Sequence, residues 1–264
     1  MWTRAELKSR GKVAFKANYW RCVLVALILM VIGGGVGAVT GNYSGNQIQD
    51  VTDSQQTVVV EESANDLNAA LNELEQADDS VKLAVVLVVA GVVLAAIAIG
   101  LLLSALLLNP LSVGCQRFFS ENKKAPAQLG EVAYGFDHGY GRVVKTMFLT
   151  DIFILLWTLL FIIPGIIKTY SYRMVPYILA QEPELSGRDA INRSREMMNG
   201  NKWKVFVLDL SFILWGLLTV ITLGIVGIFY VNPYYEATNA ELYYALRGEE
   251  PFAPENTVHY EYEA

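Results

Sequence analysis

LAVVLVVAGVVLAAIAIGLLLSALLL runs from Leu83 to Leu108 without a charged residue, and the uncharged stretch extends the whole way from Lys82 to Arg117. A bilayer hydrocarbon core of about 30 Å is crossed by about 20 apolar helical residues, each rising about 1.5 Å. The segment exceeds that length with room for tilt, so lipid is the expected solvent. By length alone, 264 residues would suit one or two soluble domains. Composition argues otherwise: 53% of residues are hydrophobic and 17% charged, with a mean hydropathy of +0.35, whereas soluble domains carry about 25% charged residues.

The remaining hydropathy predicts an all-α polytopic membrane protein with about six transmembrane helices, at 20–40, 82–110, 143–163, 165–181, 203–222 and 224–246. Lys168 and Arg173 interrupt the fourth of these, and Asn232, Glu236, Asn239 and Glu241 lie within the sixth. The organisation expected is one membrane domain, 1–247, carrying an acidic extracellular insert at 41–81 and an acidic cytoplasmic tail at 248–264. Insert residues 41–80 hold nine acids and no Lys or Arg, and the tail holds five more, which leaves 12 of the 26 acids against all 20 Lys and Arg elsewhere. The body is therefore basic, although the formal net charge is −6.

Positive charge sets the orientation. Arg4, Lys8, Arg10, Lys12, Lys16 and Arg21 precede the first span; Arg117, Lys123, Lys124, Arg142 and Lys145 join the second to the third; Arg188, Arg193, Arg195, Lys202 and Lys204 join the fourth to the fifth. With six spans all three groups fall on one side, so both termini are expected in the cytoplasm. A cleaved signal peptide over 1–38 is the competing reading. The long basic leader and the long apolar stretch Cys22–Val39 favour an uncleaved helix. Cys22 and Cys115 fall on the expected reducing face, where small buried residues are more plausible than a disulfide.

One unit recurs three times. Phe15-Lys16-Ala17-Asn18-Tyr19-Trp20-Arg21 aligns with Met198-Asn199-Gly200-Asn201-Lys202-Trp203-Lys204 and, more loosely, with Phe136-Asp137-His138-Gly139-Tyr140-Gly141-Arg142. Each has a Gly or Asn break before a cation, and Trp20, Arg21, Arg142, Trp203 and Lys204 read as interfacial anchors. Before the third break, Ser186 and Asp189 form a capping-box-like pair, and Ala190, Ile191, Ser194, Met197 and Met198 share one helical face. Thr3 and Glu6 repeat the box. These stretches are expected to be cytoplasmic surface helices on the inner leaflet. The even-numbered spans echo one another too, in Pro164-Gly165 against Val226-Gly227 and in Asn109-Pro110 against Asn232-Pro233. Three repeated helical hairpins follow.

No Walker loop, Gly-x-Ser-x-Gly elbow, His-Glu-x-x-His or Cys-x-x-Cys is present. No catalysis, cofactor, metal or nucleic acid is therefore expected. His138 and His259 are isolated and read as surface residues. The informative residues are ionisable groups placed inside spans. Asp151 lies about 12 Å from the inner end of span three, Arg173 at a similar depth in span four, and Asp209 about 9 Å into span five. Glu236 and Glu241 follow on span six, Glu241 level with Asp209 and Glu236 deeper. An inner-half cluster of Asp151, Asp209, Glu236 and Glu241 around Arg173 is expected, with Tyr170, Tyr172, Tyr234 and Tyr235 as hydrogen-bond partners and Asp151–Arg173 as the leading pair. Its two readings are interhairpin glue and a proton or solute pathway. The expected partners are membrane lipids, and a protein at the acidic loop 41–81 or the cytoplasmic helices.

Ser194-Arg195-Glu196-Met197-Met198, Gly200-Asn201-Lys202-Trp203-Lys204, Ile163-Pro164-Gly165-Ile166-Ile167-Lys168 and Tyr170-Ser171-Tyr172 through Pro176-Tyr177 resemble the uncharacterised bacterial integral-membrane family known as domain of unknown function nine-seven-five. Residues 161–204 carry most of this resemblance. The chain is also distantly similar to the membrane domain attached to some glycerophosphodiester phosphodiesterases, without their catalytic domain. The resemblance implies a multi-pass protein of the bacterial plasma membrane and supplies no catalytic residues. A structural, accessory or assembly role follows, with a small-molecule or ion transporter as the alternative and a membrane enzyme acting on lipid headgroups third.

Overall fold

The computed structural model describes residues 2–33 and 77–249. Most of the acidic insert, the end of the first expected span and nearly all of the acidic tail lie outside the described residues. The described residues are helical, without a strand. The described residues divide into two units, 2–33 with 105–249, and 77–104. In the second, α3 (Asp79–Leu103) begins where the Asp78 carbonyl accepts from Val81 and Lys82 N–H.

The first unit opens with α1 (Arg4–Ala17) and α2 (Tyr19–Ile32), set 109° apart across Asn18. After a π-helical turn at Ser104–Leu108 come α4 (Asn109–Asn122), a 3₁₀ turn (Leu129–Ala133), α5 (Tyr134–Asp137) and α6 (Tyr140–Leu160). Then follow α7 (Ile162–Tyr172), α8 (Val175–Gln181), α9 (Gly187–Met198), α10 (Lys202–Leu210) and α11 (Ile213–Ile221). A second π-helical turn at Gly227–Val231 leads into α12 (Asn232–Arg247). Among the described residues, three helical runs are long and apolar enough to cross a membrane: Asp79–Asn122, Tyr140–Leu160 and Lys202–Ile221. The count is four if the bent α1–α2 pair is one span.

Each break has an identifiable cause. Asn18 ends α1 and donates its amide to Asn122 Oδ1 at 2.8 Å and to the Ala127 carbonyl at 2.9 Å, while Asn122 donates to the Ala14 carbonyl at 2.8 Å. The breaks before α6 and α10 use Gly139 and Gly200, whose φ of 67° and 72° lies in the left-handed region that glycine enters without a Cβ clash. Thr3 and Ser186 cap α1 and α9, accepting from Glu6 and Asp189 N–H at 3.3 Å.

Apolar residues divide between two environments. Leu7, Phe15, Phe118, Ile178, Leu179, Met198, Leu242 and Tyr243 are fully buried in a core built from α1, α4, α8, α9 and α12. Outside that core, Leu159, Ile162, Ile163, Leu214, Ile221 and Leu223 are 70–82% exposed. Apolar exposure on this scale is foreign to a water-facing surface. The face predicted for α9 is real, since Ala190, Ile191, Ser194, Met197 and Met198 are its buried residues. Protein covers it, however, where lipid was expected. A pattern of apolar residues records that a face is covered, without recording by what.

Ser194 has a specific task within that face. Pro176 lacks an N–H and sits in the first turn of α8, so the helical ladder lapses between Tyr172 and Val175. Ser194 Oγ donates to the Ser171 carbonyl at 2.8 Å and accepts from Met174 N–H at 3.2 Å, satisfying two groups that the lapse leaves open. Replacing Ser194 with Ala strands both in a fully buried site. The expected cost is about 1–3 kcal/mol of stability, seen as a lowered thermal midpoint of the full chain in detergent. An unchanged midpoint would remove Ser194 from this role.

Candidate functional site

The same lapse places Arg173 between α7 and α8, with its side chain directed at α10 and α12. Its guanidinium donates to both Asp209 oxygens, at 2.6 Å to Oδ2 and 2.9 Å to Oδ1, the bidentate geometry that suits a planar fork. It also donates to Tyr235 Oη at 2.7 Å and to Asn239 Oδ1 at 2.8 Å. Asp209 is then completed by two phenols, Tyr170 Oη donating at 2.8 Å and Tyr235 Oη at 3.0 Å. Every charge in this network has its opposite or a hydrogen bond, and the bonds tie α7 and the α7–α8 break to α10 and α12.

Asp151 is not the partner of Arg173. Asn109 donates to its Oδ2 at 2.7 Å from the first turn of α4. Glu236 accepts from Gln116 Nε2 at 3.3 Å, again from α4. Both carboxylates line a cavity of about 540 Å³ together with Arg173, Asp209, Tyr172 and Tyr177. The predicted cluster is therefore assembled, with its pairing rearranged and one member missing. That member, Glu241, lies 3.6 Å from Lys123 Nζ at the far end of α12, where Lys123 also stands 4.1 Å over the Tyr244 ring. Burial pushes the Lys123 ammonium below its usual range, and the neighbouring Glu241 opposes that shift.

The anchors separate by type. Trp20 and Trp203 are exposed, at 68% and 72%. Arg21 instead donates to the Ala127 carbonyl at 3.1 Å, and Arg142 to the carbonyls of Leu179, Glu182 and Leu185 at 2.7–3.2 Å, closing the C-terminal end of α8. Lys204 makes no side-chain hydrogen bond among the described residues. His138 stacks on Tyr134 at 4.5 Å, and Cys22 and Cys115 are buried free thiols.

Sequence reasoning missed Asn109, Gln116 and Tyr177 as members of the site, and Pro176 as the cause of its geometry. Asn109 and Gln116 carried a signal, being amides inside the long uncharged stretch. Tyr177 carried none.

The two phenols next to Arg173 make opposite predictions. Tyr235 both accepts from Arg173 and donates to Asp209, so Tyr235→Phe is expected to destabilise the chain by about 1–2 kcal/mol in detergent unfolding. The Tyr177 hydroxyl is buried without a hydrogen-bond partner among the described residues, and Tyr177→Phe is expected to be neutral or stabilising. The reverse order would contradict the assigned network.

No curated protein and no solved structure matches the chain. One family model does, described as "Protein of unknown function (DUF975)", over residues 1–250. That match covers nearly the whole sequence, the acidic insert included, and the chain belongs to this family.

Proposed function

We propose that the chain is a non-catalytic structural or assembly component of the bacterial plasma membrane, crossing it six times with both termini in the cytoplasm. Three helical hairpins make up this arrangement. Several parallels support it. Pro110, Pro176 and Pro233 each stand in the first turn of a helix that restarts inside an even-numbered span. Asn109 and Asn232 both follow a π-helical turn. At the outer ends, Gly165 lies against Thr158 and Gly227 against Thr219, where a Cβ would collide. Spans four and six would then be composite, α7 with α8 and the 227–231 turn with α12.

The closed network around Arg173 carries the non-catalytic reading. Its charges are spent on one another, as expected of groups whose task is to hold three segments together in lipid. Membrane lipids are the expected surroundings. A protein partner would meet the acidic loop 41–81 or the polar faces of the cytoplasmic helices, because the apolar faces of α1 and α9 are already covered. A cofactor, a metal and nucleic acid have no place in this reading.

A transporter is the second reading, favoured by one observation: Asp151 and Glu236 face the cavity with amides as partners and no cation paired to them among the described residues. Asp151→Asn, Asp209→Asn and Glu236→Gln separate the two. Structural duty predicts that Asp209→Asn lowers the amount of folded protein in the membrane, and that none of the three alters solute or proton flux in vesicles. Normal protein levels with lost flux would favour transport. Orientation is checked with a cysteine introduced at residue 60 in a Cys22→Ser, Cys115→Ser background. A membrane-impermeant maleimide is expected to label it on intact spheroplasts, and protection until lysis would contradict the topology.

A further inference from the structure

We propose that the groove between α7, α9 and α10 binds the phosphate of an anionic phospholipid headgroup. This inference rests on the membrane reading and adds a ligand to it. The groove has a volume of about 490 Å³, and three cations, Lys168, Arg195 and Lys202, contribute to its lining beside the single acid Glu196. None of the three forms an ion pair among the described residues. Their positions are fixed independently. Lys168 Nζ is held 4.9 Å from the Trp157 ring, an arrangement that leaves its charge unneutralised. Arg195 lies on the polar face of α9, whose other face is buried. Lys202 opens α10.

Neutral groups in the groove are of the kind that bind phosphate oxygens: Ser171, Asn192 and Asn199. The start of α10 adds to this. Its N-cap, Asn201, makes no side-chain capping bond and instead donates its amide to the Met197 carbonyl at 3.0 Å, so the first-turn N–H groups keep their capacity for an anion.

The equivalent breaks in the other two repeats offer no such site. Arg21 and Arg142, the counterparts of Lys204, spend their guanidinium groups on backbone carbonyls. At the position of Lys202, which lines the groove, those two breaks carry the uncharged Tyr19 and Tyr140.

A lipid phosphate suits the groove better than a soluble one because of what borders it. Ile167 lines the groove, and along α7 from it run Ile166 and Ile163, both exposed. Exposed Trp203 follows directly after Lys202. Acyl chains would lie along the isoleucines while the phosphate meets the cations, as in basic pockets between membrane helices.

Native mass spectrometry of the full chain from mixed phosphatidylglycerol and phosphatidylcholine nanodiscs tests the assignment. Wild type is expected to retain phosphatidylglycerol over phosphatidylcholine by about tenfold or more, in line with several basic residues acting near the surface. K168Q/K202Q is expected to lose that preference, and K168R to keep it. R188Q/R193Q removes equal charge from α9 outside the groove and is expected to match wild type. A K168Q/K202Q protein that keeps the preference would overturn the site. Displacement of the lipid by millimolar inorganic phosphate would overturn the lipid assignment in favour of a soluble phosphate. A chain that stays monodisperse in detergent-free buffer would overturn the membrane reading itself, which the lipid comparison leaves untouched.

Discussion

A guanidinium between two short helices has to be neutralised where it stands, and much of the first unit follows from that requirement. Arg173 occupies the lapse between α7 and α8 that Pro176 enforces. Its four acceptors come from α10 and α12, so the α7–α8 break, α10 and α12 are fixed relative to one another by one side chain. Ser194 of α9 then repairs the backbone that the lapse exposes. A continuous helix at this point would carry Arg173 around with the helical repeat and leave no fork-shaped space for Asp209.

The unit has two kinds of apolar surface. At the basic end, α1, α4, α8, α9 and α12 bury aromatic and aliphatic side chains as a water-soluble domain does. The long arms of α6, α7 and α11 leave theirs uncovered, which is stable where hydrocarbon surrounds them. The groove beside Lys168, proposed above as a lipid-phosphate site, is bordered by exposed Ile166 and Trp203.

Local features were legible in the sequence to the extent that local forces set them. The capping residues Thr3 and Ser186 and the breaks at Gly139 and Gly200 depend on neighbours within one or two turns, whereas the break at Asn18 is held by Asn122 and Ala127, more than a hundred residues away. The pairing of Arg173 does not depend on near neighbours either. Depth along a span follows from counting residues, and it made Asp151 as good a partner as Asp209. Which way a carboxylate points around its helix depends on packing between helices. In the structure Asp151 turns toward Asn109 and Asp209 toward Arg173. Arg21 and Arg142 were misread for a related reason, since a cation at a helix break can serve a phosphate or a stranded carbonyl equally well. The family match adds no chemistry to decide such questions, so the geometry carries them.

A double-mutant cycle on Arg173→Met and Asp209→Leu, measured as unfolding of the full chain in nanodiscs, tests the central pairing most directly. Each single change is expected to cost about 3–5 kcal/mol by leaving a buried charge without its partner. The double change, which removes both charges, is expected to cost clearly less than the sum of the two. Strictly additive losses would mean that Arg173 and Asp209 do not depend on each other, and the interlock described here would be wrong.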